Sequence, residues 1–259
     1  MSELIPSDPT QRFSARALHY ARSRPGYPPA ILQFLKEQFG LNASWTIADL
    51  GSGTGKLSEL FLAAGCWVYG VEPNRDMRLM AEKLLNAQPQ FISIDAQAEA
   101  TTLEPASVDL LVAGQAYHWF DVPRARAEAL RILRPGGVAA LIWNDRRSEA
   151  PFTRAYEAFL TSQFPNYQLT KHRRHERASF EPFFGHADFI SAAFDNHLRL
   201  DLTALIGLIN SASYAPLGWE SSPPILSRLA ALFDQYQVDG RIVLDYDTRI
   251  YAGPLAESA

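Results

Sequence analysis

The chain has 259 residues, 47% of them hydrophobic and 20% charged, with a formal net charge of −4. That is one generous globular domain, or a domain with an insertion, and the acidic balance argues against a nucleic-acid partner, which usually needs a basic face. The single cysteine, Cys66, excludes an internal disulfide and any multi-cysteine metal site, no apolar run reaches membrane-span length, and MSELIPSDPTQRF lacks the basic start and apolar core of a secretory signal, so a soluble cytoplasmic protein without a membrane partner is expected.

Residues 1–10 are polar, with Pro6 and Pro9, and read as disordered. Phe13 to Arg22 reads as a short helix that stops before Arg24-Pro25-Gly26-Tyr27-Pro28-Pro29, because residues preceding proline avoid the α region. Ala30 to Phe39 is an amphipathic helix with Ile31, Leu32, Leu35 and Phe39 on one face, ended by Gly40. Thr46 to Leu50 reads as a short buried strand. Gly51, Gly53 and Gly55 follow at alternate positions, and a helix then runs from Gly55 to Ala64, with Leu57, Leu60 and Phe61 at helical spacing. Strand, glycine turn and helix bring backbone N–H groups and a helix N-terminus up to a small ligand.

Three nucleotide-type ligands compete for such a loop. A P-loop needs G-x-x-x-x-G-K-[ST]; here Gly55-Lys56 is followed by Leu57, and Leu50 stands five positions before Gly55. A dinucleotide fingerprint needs a third glycine where Lys56 stands, and Asp49 at the loop mouth repels a pyrophosphate. A ligand carrying an ammonium or sulfonium tolerates Asp49. The stretch IADLGSGTGKLS, residues 47–58, resembles motif I (D-x-G-x-G-x-G) of the class I S-adenosylmethionine (SAM) methyltransferases.

A second strand, Trp67 to Val71, ends at Glu72, 21 residues after Gly51, where a carboxylate can accept from both hydroxyls of a ribose. Dinucleotide enzymes use the same device, so Glu72 specifies a ribose and not SAM. Pro73-Asn74 opens a helix from Arg75 to Asn86 with Met77 and Met80 inward; Met77 reads either as core packing or as a flexible apolar contact to a purine ring. A third strand runs from Phe91 to Ile94. The following stretch, DAQAEATTLEPASVDLLVAGQAYHWFD, is similar to methyltransferase type 11 proteins around their adenine-binding turn and fourth strand, here Leu110 to Ala113. That resemblance implies that Gln97 and Ala98 read the adenine edge. Position 97 is more commonly acidic in the family, which leaves Asp95 as an alternative reader.

Arg124 to Leu133 is an amphipathic helix, stopped by Arg134-Pro135-Gly136-Gly137, which feeds a fifth strand, Val138 to Trp143. The L-[RK]-P-G-G signature is a further family signal, structural in role. Residues 144–188 break the rhythm with a helix at Phe152 to Gln163, a basic run from Lys171 to Arg177, and Phe180, Phe183 and Phe184. The basic run reads as a solvated loop, and no metal site is expected at His172 and His175 because no carboxylate pattern accompanies them. Phe189 to Leu200 and Arg241 to Tyr251 are strands, with helices Thr203 to Ala212 and Pro224 to Gln237 between them.

Strands alternating with helices imply an α/β, doubly wound, mostly parallel sheet. The resemblance implies the seven-stranded Rossmann-like form with an antiparallel last strand. Residues 11–252 are then one SAM-dependent methyltransferase domain, with an N-terminal cofactor lid at 1–30 and a helical, aromatic insertion at 144–188 over the cofactor mouth. It also implies SAM as cofactor and S-adenosylhomocysteine (SAH) as product. Asp49, Gly51, Ser52, Gly53, Glu72, Pro73, Met77, Gln97, Ala98 and Gln115 are the expected cofactor contacts. Tyr20 and Arg24 join them, since Tyr20 to Pro28 resembles the family's Y-x-x-x-R-P-x-Y-P opening, which folds over the cofactor. Arg24 reads as a clamp for a carboxylate or as a surface residue.

His118, just beyond the fourth strand, reads as a catalytic base or as a histidine packed beside Trp119. Asn144, Arg146 and Arg147 follow the fifth strand and can face substrate. Phe152, Tyr156 and Phe180 are expected to give the acceptor site an apolar wall. The expected reaction is O-methylation of a small molecule at a carboxylate or hydroxyl. C- or N-methylation and non-catalytic SAM binding are the alternatives, and the expected protein is a monomer or homodimer.

Overall fold

The computed structural model describes residues 16–167 and 177–256. Residues 1–15 and 168–176 fall outside it, and with them the polar N-terminus, the start of the first expected helix, His172, His175 and most of the basic run. Seven strands form one sheet: β1 (Thr46–Leu50), β2 (Trp67–Val71), β3 (Phe91–Ile94), β4 (Val108–Gly114), β5 (Leu133–Arg146), β6 (Ile190–Leu200) and β7 (Ile242–Gly253). Their order is β3-β2-β1-β4-β5-β7-β6. The first five pair in parallel; β7 lies antiparallel to both β5 and β6. This is the expected doubly wound sheet, and its order reverses direction between β1 and β4, the point where such sheets bind ligands at their carboxyl edge.

Alternation along the strands sorts the core into two layers. Ala48, Leu50, Leu111, Ala113, Ala139 and Leu141 face one side, against Ala125, Ala129 and Ile132 of α5 (Val122–Ile132). Ile47, Leu110, Val112, Ala140 and Ile142 face the other, against Ile31 and Leu35 of α2 (Ala30–Phe39) and Leu57 and Phe61 of α3 (Lys56–Ala63). Helix α1 is Ala17–Ser23, and α4, Arg75–Leu84, is capped by the Asn74 side chain, which accepts from the Met77 N–H. Gly40 ends α2 with φ +80°. Helix α5 starts at Val122, two residues before the expected start, because Asp121 caps it and Pro123 fits the first turn.

Two segments differ from the reading above. The Arg134–Gly137 stretch does not separate α5 from the strand; it belongs to β5, as an irregularity in its pairing with β4 between Val108 and Leu110. The 144–188 stretch divides. Helix α6 (Pro151–Gln163) joins α7 (Leu202–Asn210) and α8 (Pro223–Tyr236) in a separate cluster with Phe164, Tyr167, Trp219, Leu244 and Tyr246. Phe180, Phe183 and Phe184 instead join the core of the sheet, Phe180 against Tyr117 and Trp143, Phe183 against Tyr117, and Phe184 against Phe183 and Phe189. The helical cap is therefore assembled from residues 151–167 and 202–236. Among the described residues, no helix is long and apolar enough to cross a membrane.

Candidate active site

The turn after β1 is held by backbone hydrogen bonds. Gly51 and Ser52 N–H both donate to the Val71 carbonyl, at 2.8 and 3.1 Å, and Gly55 N–H donates to the Ser52 carbonyl. Gly51 has φ +68°, and a Cβ there would meet the Ala116 Cβ at 2.6 Å. Any side chain at position 51 therefore suffers both strain and a clash. Beneath the loop, Asp49 is buried; its Oδ2 accepts from Ser58 Oγ at 2.7 Å, and its Oδ1 has no hydrogen-bond partner among the described residues. Burial pushes the Asp49 carboxyl up to about 7, with the Ser58 hydroxyl drawing it down and Glu72 adding to the rise.

Glu72, at the end of β2, fastens the loop. Its Oε2 accepts from Gly53 N–H at 2.9 Å and its Oε1 from Asn74 N–H at 2.8 Å. Burial raises its pKa, and those two backbone bonds oppose the rise. Each carboxylate oxygen keeps acceptor capacity toward the cavity it lines.

Two cavities meet at this loop. The first, of about 330 Å³, is lined by Tyr20, Gly51, Gly53, Glu72, Pro73 and Met77 on one side and by Gln97, Ala98, Gln115, Trp119 and Phe120 on the other. The second, of about 320 Å³, is lined by Tyr20, Arg24, Asp49, Ser52, Lys56, His118, Asn144 and Arg146, with Tyr27, Trp143, Tyr167, Tyr214 and Tyr246. Tyr20, Gly51, Gly53, Gly114, Gln115 and Trp119 line both. Asp95 lines neither; its side chain is taken by Arg78 at 2.6 Å.

Gln115 turns the chain out of β4 with φ +60°; its N–H donates to Ile142 O, and its Nε2 donates to Asn144 O. Asn144 anchors the N-terminal strap. Its Nδ2 donates to Gly26 O at 3.1 Å, and its Oδ1 accepts from Thr248 Oγ1 and Asn196 Nδ2. Gly114 leaves room for the strap, since a Cβ there would fall on the Tyr27 hydroxyl. The strap is also tied to the cap: Arg16 donates to the carbonyls of Asn210, Ala212 and Ala215, and Arg24 Nε donates to Ser211 Oγ at 2.8 Å.

Arg146 lines the second cavity, whereas Arg147 does not. Arg147 is ion-paired with Asp195 and Asp247 across β6 and β7. His118 lies beside Trp119, ring centroids 4.8 Å apart, and is among the residues lining the second cavity. The expected wall of Phe152, Tyr156 and Phe180 is absent from the lining, because all three are buried in core clusters. Tyrosines replace it. Tyr214 and Tyr246 were illegible as site residues, coming from segments far along the chain. Tyr27, Trp119 and Phe120 sit inside the two quoted family stretches, and that was the available signal.

These residues fit SAM. The Asp49 carboxylate with an unfilled oxygen, the Glu72 carboxylate on the loop and the side-chain-free approach at Gly51 and Gly53 suit a ribose-bearing, positively charged ligand.

Residues 48–141 match the model of a methyltransferase domain family. The uncharacterized methyltransferase Rv3342 of Mycobacterium tuberculosis is 37% identical over 139 residues, 54% of each chain. The uncharacterized methyltransferase C25B8.09 of Schizosaccharomyces pombe is 35% identical over 145 residues, 54% of this chain and 55% of that one. The chain thus spans about half the length of the curated relatives it matches. Among solved structures, a candidate type II methyltransferase from Anaeromyxobacter dehalogenans superposes with a TM-score of 0.64 at 24% identity, covering 91% of this chain and 99% of that one, which is a likeness of fold. Domain family, relatives and sheet topology together identify residues 48–141 as a methyltransferase domain on a class I, Rossmann-like sheet.

Proposed function

We propose that the protein transfers the methyl group of SAM to a small-molecule acceptor held in the second cavity, at a carboxylate or hydroxyl oxygen. The observation that carries this reading is the pair of cavities meeting at Gly51, Gly53, Gly114 and Gln115, one bordered by Glu72, Met77, Gln97 and Ala98 and the other by tyrosines and cations. When bound, SAM supplies a methyl group already activated by its positive sulfur.

The chain's part is to orient and to exclude water. Glu72, Gly53 and the Gln97–Ala98 pair are the residues to hold the ribose and the adenine. Tyr20, common to both cavities, closes the junction, and the strap fastened by Asn144 and Arg16 keeps it closed. Such positioning can be worth roughly 7–11 kcal/mol. A carboxylate acceptor needs no base. A hydroxyl acceptor needs one, and His118 on the cavity wall is our candidate to take its proton, a contribution of roughly 10²–10⁴-fold.

The test is to incubate purified protein with methyl-labelled SAM and panels of small carboxylic acids, phenols, amines and carbon acids. Label in an ester or ether supports the reading. Label only in N- or C-methyl products, or only in a macromolecule, overturns the acceptor assignment. SAM binding without turnover on any panel favours a non-catalytic binding protein.

A further inference from the structure

We infer that Arg146 and the tyrosines around it recognise an anionic group of the acceptor, so that the acceptor is a small organic anion; this rests on the second cavity being the acceptor site. Arg146 is the last residue of β5, at the carboxyl edge of the sheet, and pairs in register with Tyr246 of β7. Tyr167, Tyr214 and Tyr246 line the same cavity, and the Arg146 guanidinium carbon lies 5.2 Å from the centre of the Tyr156 ring. Burial holds these four phenols above their ordinary pKa. They stay protonated at neutral pH and add no counter-charge, and the three on the cavity wall, Tyr167, Tyr214 and Tyr246, supply O–H donors to it.

The guanidinium is under-used where it stands. Among the described residues its carboxylate neighbour is Glu157, with Oε1 3.7 Å from Nη1, beyond hydrogen-bond length. Nη1 has no hydrogen-bond partner among the described residues. Other arginines of this chain close on their carboxylates: Arg78 on Asp95 at 2.6 Å, Arg131 on Glu128 at 2.7 Å, Arg134 on Asp109 at 2.6 Å. A guanidinium nitrogen withdrawn from water with its donors unfilled is costly unless a ligand draws the group into a hydrogen bond. The ligand its fork matches is a carboxylate or another planar oxyanion.

The charges facing the cavity favour the same ligand. Arg24 and Lys56 also line it. Of the two acids that do, Asp145 faces Arg249 at 3.4 Å, and Asp49 lies under the glycine loop, bonded to Ser58.

Calorimetry on SAH-loaded protein tests this with pairs that keep shape and lose charge: succinate against succinamate, glutarate against glutaramate, phenylacetate against phenylacetamide. At least one acid should bind about tenfold tighter than its amide. Arg146→Gln should bring that pair within about twofold while SAH affinity stays within twofold of wild type. Arg146→Lys, which keeps the charge and loses the fork, should recover only part of the preference. Equal binding of acid and amide by wild type, binding of none of the acids, or a preference that survives Arg146→Gln would overturn the inference. The wild-type comparison decides even if the glutamine variant does not fold. Failure of wild type to bind SAH is a different result, and it removes the reading of the site as a whole.

Discussion

Replacing Asp49 by asparagine should stabilise the ligand-free protein while weakening its hold on SAM. The Asp49 carboxyl is 1% exposed and satisfied on one oxygen only. Burial pushes it up to about 7, against an ordinary value near 4. A carboxyl that holds its proton more tightly folded than unfolded stabilises the fold at low pH. That stability is lost as pH rises from about 4 through about 7. A rise of about three pKa units corresponds to about 4 kcal/mol of folding free energy lost once Asp49 is fully ionised.

The side-chain amide of Asp49→Asn would keep an acceptor for the Ser58 hydroxyl and remove the ionisation. Urea unfolding of ligand-free protein should therefore show the variant more stable at pH 8, by up to about 4 kcal/mol, with the gap nearly closed at about pH 4. In the same variant, affinity should fall more for SAM, whose sulfur is positive, than for SAH, whose sulfur is neutral. Equal stability of the two proteins at pH 8, or a variant destabilised alike at both pH values, would refute the reasoning. It would mean that the Asp49 carboxylate is held by more than Ser58.

Three further changes probe the site. Glu72→Ala removes the acceptor of the Gly53 and Asn74 N–H groups, each charge-assisted bond worth about 1.5–3 kcal/mol; SAM affinity should fall at least about tenfold in a protein that still unfolds cooperatively, and unchanged affinity would reduce Glu72 to a loop brace. Gly114→Ala sets a methyl on the Tyr27 hydroxyl; overpacking of this kind costs about 1–3 kcal/mol, and hydrogen exchange should rise in residues 24–28, with no change there contradicting the strap's close seat. His118→Gln should cost little, with a rate flat between about pH 6 and 8, if the acceptor is a carboxylate; if it is a hydroxyl, the rate should rise with pH as the base sheds its proton, and the variant should lose about two decades.

Much of the sheet was legible because local chemistry and tertiary role agreed. The strands Thr46–Leu50, Trp67–Val71 and Phe91–Ile94 are continuous apolar or alternating runs with sharp ends, and their bounds coincide with the structure. The Leu133–Gly137 stretch misled because proline and two glycines signal a turn, whereas here they shape a bulge where β5 meets β4. The first cavity was readable because its residues sit on successive strand ends and in one contiguous family-like stretch. The second was only partly so. Its tyrosines come from residues 27, 167, 214 and 246, brought together by the cap and by the pairing of β5 with β7. No local pattern marks a side chain whose role depends on such a convergence. The aromatics expected on the acceptor wall, Phe152, Tyr156 and Phe180, are drawn into cores instead.

The most direct measurement is an isothermal titration of the purified protein with SAM, with NAD as the comparison ligand. The account predicts one site per chain, micromolar affinity for SAM and for SAH, and no heat with NAD. The absence of heat and of any thermal shift with SAM and SAH, or tighter binding of NAD, would contradict it.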